Sequence, residues 1–261
     1  MNIRLDGKNA LVCGCSQGIG KAIAIQFAEM GANVILTARN SSMLNEVLNQ
    51  LKKIPGQEHL AVPADFSHPE KAISIINEFI NNKTIHILIN NSGGPAPGPI
   101  HTAEPESFFN AFNQHLIMNQ LLIKKILPGM KKENFGRIIN IISISVKQPV
   151  DNLGVSNTIR GAMSSWSKTL SKEVAQYGIT VNNILPGYTM TSRLNSLMEN
   201  NAANSGKSVE KIASEIISNI PAGRLALPEE PAYLAGFLAS DYASYITGVN
   251  IPVDGGYLKC L

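Results

Sequence analysis

Short apolar runs alternate along the chain with longer stretches in which apolar residues recur every three or four positions. The runs at 10–13, 33–37, 60–63, 86–90, 137–143, 180–185 and 249–253 predict seven strands. The stretches at 19–30, 42–53, 69–81, 106–130, 153–177 and 229–240 predict the helices between them. Residues 85–89 and 137–142 are almost continuously apolar rather than alternating, as a strand covered on both faces requires. The pattern therefore predicts a central parallel sheet with helices on either side.

No repeat, low-complexity run or Gly/Ser linker divides the chain, and 261 residues fit one α/β unit. One stretch, about 187–224, is too long for a simple strand-to-helix connection and is expected to be an insertion. Within it Val209, Ile212, Ile216 and Ile220 form an amphipathic stripe after a capping Ser208, whereas 199–206 is polar and expected to be mobile. Such a piece suits a substrate lid.

Composition narrows the function classes. Charged residues make up 16% of the chain, below the roughly 25% of an average protein, so some surface is expected to be covered by sister subunits. A net charge of +3 with no basic run longer than two residues gives no nucleic-acid footprint. Cys13, Cys15 and Cys260 offer neither a disulfide framework nor a metal site, which fits a reducing cytoplasm. Residues 1–9 lack the apolar core of a signal peptide, and no stretch reaches the roughly 18 apolar residues of a membrane span. Neither export nor membrane insertion is expected.

The first strand runs into Gly14-Cys15-Ser16-Gln17-Gly18-Ile19-Gly20 and then a helix. Glycines let the backbone turn sharply and approach a pyrophosphate, and the helix N-terminus faces the phosphates. The spacing is G-x-x-x-G-x-G rather than the commoner G-x-G-x-x-G. With the strand pattern it predicts a Rossmann-type doubly wound α/β fold of seven parallel strands, one dinucleotide-binding domain over 1–261. After the second strand stand Arg39 and Asn40 with no acid. An arginine there pairs with a 2′-phosphate where a carboxylate would repel it, so NADP(H) is favoured over NAD(H).

Asn90-Asn91-Ser92-Gly93 after the fourth strand, the segment Pro186-Gly187-Tyr188-Thr189-Met190-Thr191 after the sixth, and Val253-Asp254-Gly255-Gly256 near the C-terminus complete a pattern. With them the chain resembles the short-chain dehydrogenase/reductase family, nearest its 3-oxoacyl-acyl-carrier-protein reductase branch. The resemblance implies Asp65 and Phe66 beside adenine, and Asn91, Ser92 and Gly93 on the ribose and nicotinamide side. It also implies Ile184, Pro186, Gly187, Thr189 and Thr191 near carboxamide and phosphates, and a homotetramer or homodimer formed through the fourth and fifth predicted helices.

Family members reduce a carbonyl with a serine after the fifth strand and a Tyr-x-x-x-Lys pair on the next helix. Ser143 occupies the serine position, but the pair falls on Ser156 and Arg160, and none of the six tyrosines has a lysine four residues later. His115 corresponds to the asparagine that many relatives carry. A phenol with a pKa of about 10 gives the new alkoxide its proton, and a lysine ammonium lowers that pKa. Serine is a far weaker acid and arginine does not relay protons. Substitutes are Tyr188 at the mouth of the insertion, Lys147 four residues after Ser143, and His115. The prolines of Gly93-Gly94-Pro95-Ala96-Pro97-Gly98-Pro99 stiffen a wall beside the substrate position.

Two functions follow. One is an NADP(H)-dependent oxidoreductase acting on a small carbonyl or alcohol, 3-oxoacyl-thioester reductase-like, with a non-standard site that uses Ser143, Ser156 and Arg160. The other is a catalytically inactive NADP-binding protein that regulates or binds a partner, which the loss of both tyrosine and lysine supports, whereas the insertion and the proline loop point to a retained substrate cavity and so to the enzyme.

Overall fold

The computed structural model describes residues 3–80 and 83–260. Seven parallel strands form one sheet in the order β3-β2-β1-β4-β5-β6-β7. They are β1 Asn9–Cys13, β2 Asn33–Ala38, β3 Leu60–Pro63, β4 Ile87–Asn90, β5 Gly136–Ile141, β6 Ile179–Pro186 and β7 Asn250–Val253. The order reverses between β1 and β4, and such a switch point opens a crevice at the carboxyl ends of the strands.

Alternation along each strand feeds two cores at once. Ala10 and Val12 of β1 pack with Ile23 and Phe27 of α1 (Gly18–Glu29) and Leu238, while Leu11 and Cys13 face the opposite layer. After α2 (Ser41–Gln50) the chain supplies that second layer from α3 (Pro69–Ile80), whose Ile73 and Ile76 are buried. The expected end of α3 at Asn81 lies outside the described residues. This two-faced burial is why β-runs read as continuous apolar tracts.

The single long helix expected over 106–130 is corrected to α4 (Pro105–Phe112), a π-helical turn (Asn113–Ile117) and α5 (Met118–Glu133). One extra residue per turn shifts the helix face and carries His115 inward, where it is buried. Next come α6 (Gly154–Val174), α7 (Ser192–Ser205), α8 (Val209–Ser218) and α9 (Glu229–Ala239). The polar 199–206 segment is also corrected, since it forms the last turns of α7 and ends on Gly206 at φ +68°. Met198 and Ala202 are buried against Ile212 of α8, which supplies the apolar face that polarity alone hid. Ser208 caps α8 through Lys211 N at 3.2 Å.

Candidate active site

The turn after β1 is built before any ligand enters it. Gly14 (φ +58°) and Gly18 (φ +57°) hold a conformation that side chains resist. A Cβ on Gly14 would lie 2.6 Å from the carbonyl oxygen of Asn91, and one on Gly20 would collide with the Gly14 carbonyl. Asn91 closes the cradle by donating its side-chain amide to the Gly14 carbonyl at 2.9 Å. Gln17 precedes α1 in extended conformation and makes no side-chain cap bond. The first N–H groups of α1 thus lack a side-chain acceptor and suit a phosphate group.

From this turn a cleft of about 520 Å³ runs across the carboxyl ends of the strands. Gly14, Ser16, Gln17, Gly18 and Ile19 line one end, with Arg39, Asn40 and Phe66 beside them. Asn91, Ser92 and Gly93 line its middle, and a Cβ on Gly93 would meet open space. Ser143, Ser156, Arg160, Tyr188, Pro186, Gly187, Thr189 and Thr191 line the other end. The dinucleotide fits these residues: free helix N–H groups suit the pyrophosphate, and an arginine without an acid in the lining suits a 2′-phosphate.

Gly20, Asp65, His115, Lys147 and Ile184 do not line the cleft. Gly20 packs beneath Gly14 and Asn91, and Ile184 is buried in the core. Asp65 turns its Oδ1 to Ser67 N at 3.0 Å, and Lys147 is exposed. His115 stands one shell behind, its Nδ1 2.7 Å from the hydroxyl of Ser92. Burial, and then the nearby charge of Arg160, hold the His115 imidazole well below its ordinary pKa. It is therefore neutral, and its Nε2 is buried without a partner.

At the reacting end, Ser143 caps a short 3₁₀ turn and its hydroxyl oxygen accepts from Ser145 N at 3.1 Å, which leaves its own O–H free to donate. Ser156 is half-buried on the first turn of α6. One turn on, Arg160 donates from Nη1 to the Ile141 carbonyl at 3.0 Å. Burial, reinforced by Arg193, pushes its pKa down to about 10, so it is still a cation at neutral pH. The Tyr188 ring meets that of Tyr257 edge-on with centroids 5.2 Å apart. Burial and the Tyr257 phenol push the Tyr188 hydroxyl upward, the opposite of what an activated acid needs.

Two features escaped the sequence reading. Arg193, in the first turn of α7, lines the cleft and donates from Nη2 to the carbonyl of Pro95. A row of asparagines, Asn90, Asn140, Asn183 and Asn250, crosses β4 to β7 in register. The amide of Asn140 donates to Asn183 at 2.7 Å and its oxygen accepts from Asn90 at 2.8 Å. The row ties the four strands side by side, with Asn183 donating on to Asn250 at 2.7 Å.

A parallel doubly wound sheet with a glycine-turned, uncapped helix start at its switch point defines a dinucleotide-binding protein. The family model described as enoyl-(acyl carrier protein) reductase matches residues 14–258. The NADPH-dependent reductase BacG of Bacillus subtilis is 34% identical over 97% of this chain and 99% of that protein. The 3-oxoacyl-[acyl-carrier-protein] reductase FabG of Pseudomonas aeruginosa is 34% identical over 97% and 98%. The crystal structure of L-sorbose reductase from Gluconobacter frateurii, complexed with NADPH and L-sorbose, superposes with a TM-score of 0.92 at 32% identity over the full length of both chains. The chain belongs to the short-chain dehydrogenase/reductase family, in its 3-oxoacyl-acyl-carrier-protein reductase-like branch.

Proposed function

We propose that the chain is an NADP(H)-dependent oxidoreductase that interconverts a small carbonyl and its alcohol with an altered catalytic set. The observation that carries the reading is the single cleft that joins the phosphate-binding turn and Arg39 to Ser143 and Arg160. The relatives named for NADPH support the cofactor choice. Bound NADPH supplies the hydride.

The protein's part is positioning and charge. The free O–H of Ser143 donates to the carbonyl oxygen and orients it. The guanidinium of Arg160, fixed by Ile141, offers a permanent positive charge to the oxygen as negative charge grows there. Neither Arg160 nor the upshifted Tyr188 phenol is a ready proton donor, so water entering the cleft mouth supplies the proton. Ser92, which lines the cleft, is held from behind by neutral His115 at 2.7 Å.

The segment 187–224 acts as the substrate lid in this reading, with Tyr188 and Arg193 as its cleft-facing residues. Exposed Phe109 and Phe112 on α4 suit burial in a homodimer or homotetramer. The competing reading, a non-catalytic NADP-binding protein, draws on Ser156 and Arg160 falling where the family resemblance implies tyrosine and lysine. Purified protein given NADPH with ketones, quinones and 3-oxoacyl thioesters decides between them. Cofactor oxidation above the blank supports the oxidoreductase. Tight NADPH binding with no oxidation across that panel supports the silent binder.

A further inference from the structure

The residues lining the cleft include three arginines, Arg39, Arg160 and Arg193, and not one aspartate or glutamate. Arg39 lies at the end of β2, where the adenosine phosphate is expected. The other two line the part of the cleft that also holds Ser143 and Tyr188. Among the described residues neither Arg160 nor Arg193 forms an ion pair.

Their placement is costly without a ligand. Arg160 is only 8% exposed and Arg193 is half-buried. A buried and a half-buried cation that repel each other disfavour the fold, and a group of opposite charge reverses that sign. Burial holds the Arg193 guanidinium below its ordinary pKa, in keeping with an uncompensated charge. Arg193 is also fixed in space. It bridges from α7 to the carbonyl of Pro95, and a Cβ on Gly94 would lie 3.5 Å from its Nη2 and 3.7 Å from its Nε. The guanidinium thus lies over the Gly94 backbone with donors to spare, since the bond to Pro95 uses one of five.

We propose that Arg193 is a specificity-determining residue that receives a carboxylate carried by the substrate. The planar fork of arginine matches a carboxylate bidentately. Val150, Leu153, Leu194 and Leu197 line the same end and supply an apolar wall for the substrate body. The substrate class is then an oxo acid with an apolar body, its carbonyl at Ser143 and Arg160 and its carboxylate at the lid. The inference rests on the oxidoreductase reading for the carbonyl's role, but the carboxylate site is testable without turnover.

Two measurements test it on the full-length protein with NADPH present. The first is calorimetric titration with a non-reducible apolar carboxylic acid, 4-phenylbutanoate, and with its methyl ester. Binding of the acid in preference to the ester, weakened about 100-fold in Arg193→Gln and partly recovered in Arg193→Lys, is the expected result. Equal binding of acid and ester, or an acid affinity that ignores Arg193→Gln while the variant keeps its melting temperature, overturns the proposal. The second compares 4-phenyl-2-oxobutanoate, its methyl ester and a 3-oxoacyl coenzyme A thioester as substrates. A KM for the acid that rises in Arg193→Gln, with kcat changed far less, supports the carboxylate site. Arg193-dependent use of the thioester in place of the acid assigns the arginine to a carrier phosphate and overturns it. Acid binding without oxidation of NADPH by any compound sinks the oxidoreductase reading and leaves the carboxylate site standing.

Discussion

Arg160 donates from Nη1 to the carbonyl of Ile141, the last residue of β5, and so holds a cation at the floor of the cleft. The bond fixes direction as well as place. With no acid paired to it among the described residues, this charge is kept at a cost to folding, and the cost makes its role measurable.

The first prediction concerns that cost. The guanidinium's pKa is lower in the folded chain, about 10, than in the unfolded one, so the unfolded state binds the proton more tightly and the charge opposes folding at neutral pH. Arg160→Met is expected to raise stability by about 1–2 kcal/mol in denaturant titration while turnover falls at least about tenfold. Lower stability together with full turnover would show that the charge serves the fold.

Arg39 gives the second prediction. It lines the cleft just after β2, and in the proposed function it receives the 2′-phosphate. Arg39→Ala should weaken NADPH binding about 10- to 100-fold and leave NADH binding within about threefold, as read by fluorescence titration.

Ser143 supplies the third. Its hydroxyl oxygen is already committed as an acceptor to Ser145 N, so its hydrogen points away from that bond. Ser143→Ala should lower kcat about 100-fold with an unchanged NADPH dissociation constant, a split that a folding defect would not produce.

His115 yields a pH prediction. Its folded-state pKa is depressed by burial, so below the ordinary histidine value the unfolded chain takes up a proton that the folded chain refuses. Stability contributed by keeping it neutral is full above about pH 6.5 and declines as pH falls below that. Denaturation midpoints between about pH 7 and 5 should therefore fall more steeply for the parent than for His115→Asn, which cannot titrate in this range. Identical slopes would contradict the buried, neutral assignment.

The strands were legible because both sheet faces are buried, which leaves an apolar tract too short for anything else. The phosphate turn was legible because Gly14 and Gly18 need positive φ, a requirement written directly into residue type. The π turn at 113–117 was not, since one inserted residue leaves the three-and-four spacing of 106–130 nearly intact. The helix over 199–205 hid because its buried contacts, Met198 and Ala202, only become a face once α8 packs against them. Arg193 carries no motif of its own in the sequence, and its one signal is its place two residues after Thr191. The asparagine row has a signal in the sequence, because asparagines at 90, 140, 183 and 250 within otherwise apolar runs need partners when buried, and neighbouring strands supply them.

In the proposed function the uncapped start of α1 and Arg39 together receive a 2′-phosphorylated dinucleotide. Equilibrium titration of the purified chain with NADPH and NADH tests it most directly. One NADPH per chain, bound at least about tenfold more tightly than NADH, is the predicted result. Failure of both nucleotides to bind at millimolar concentration would contradict it.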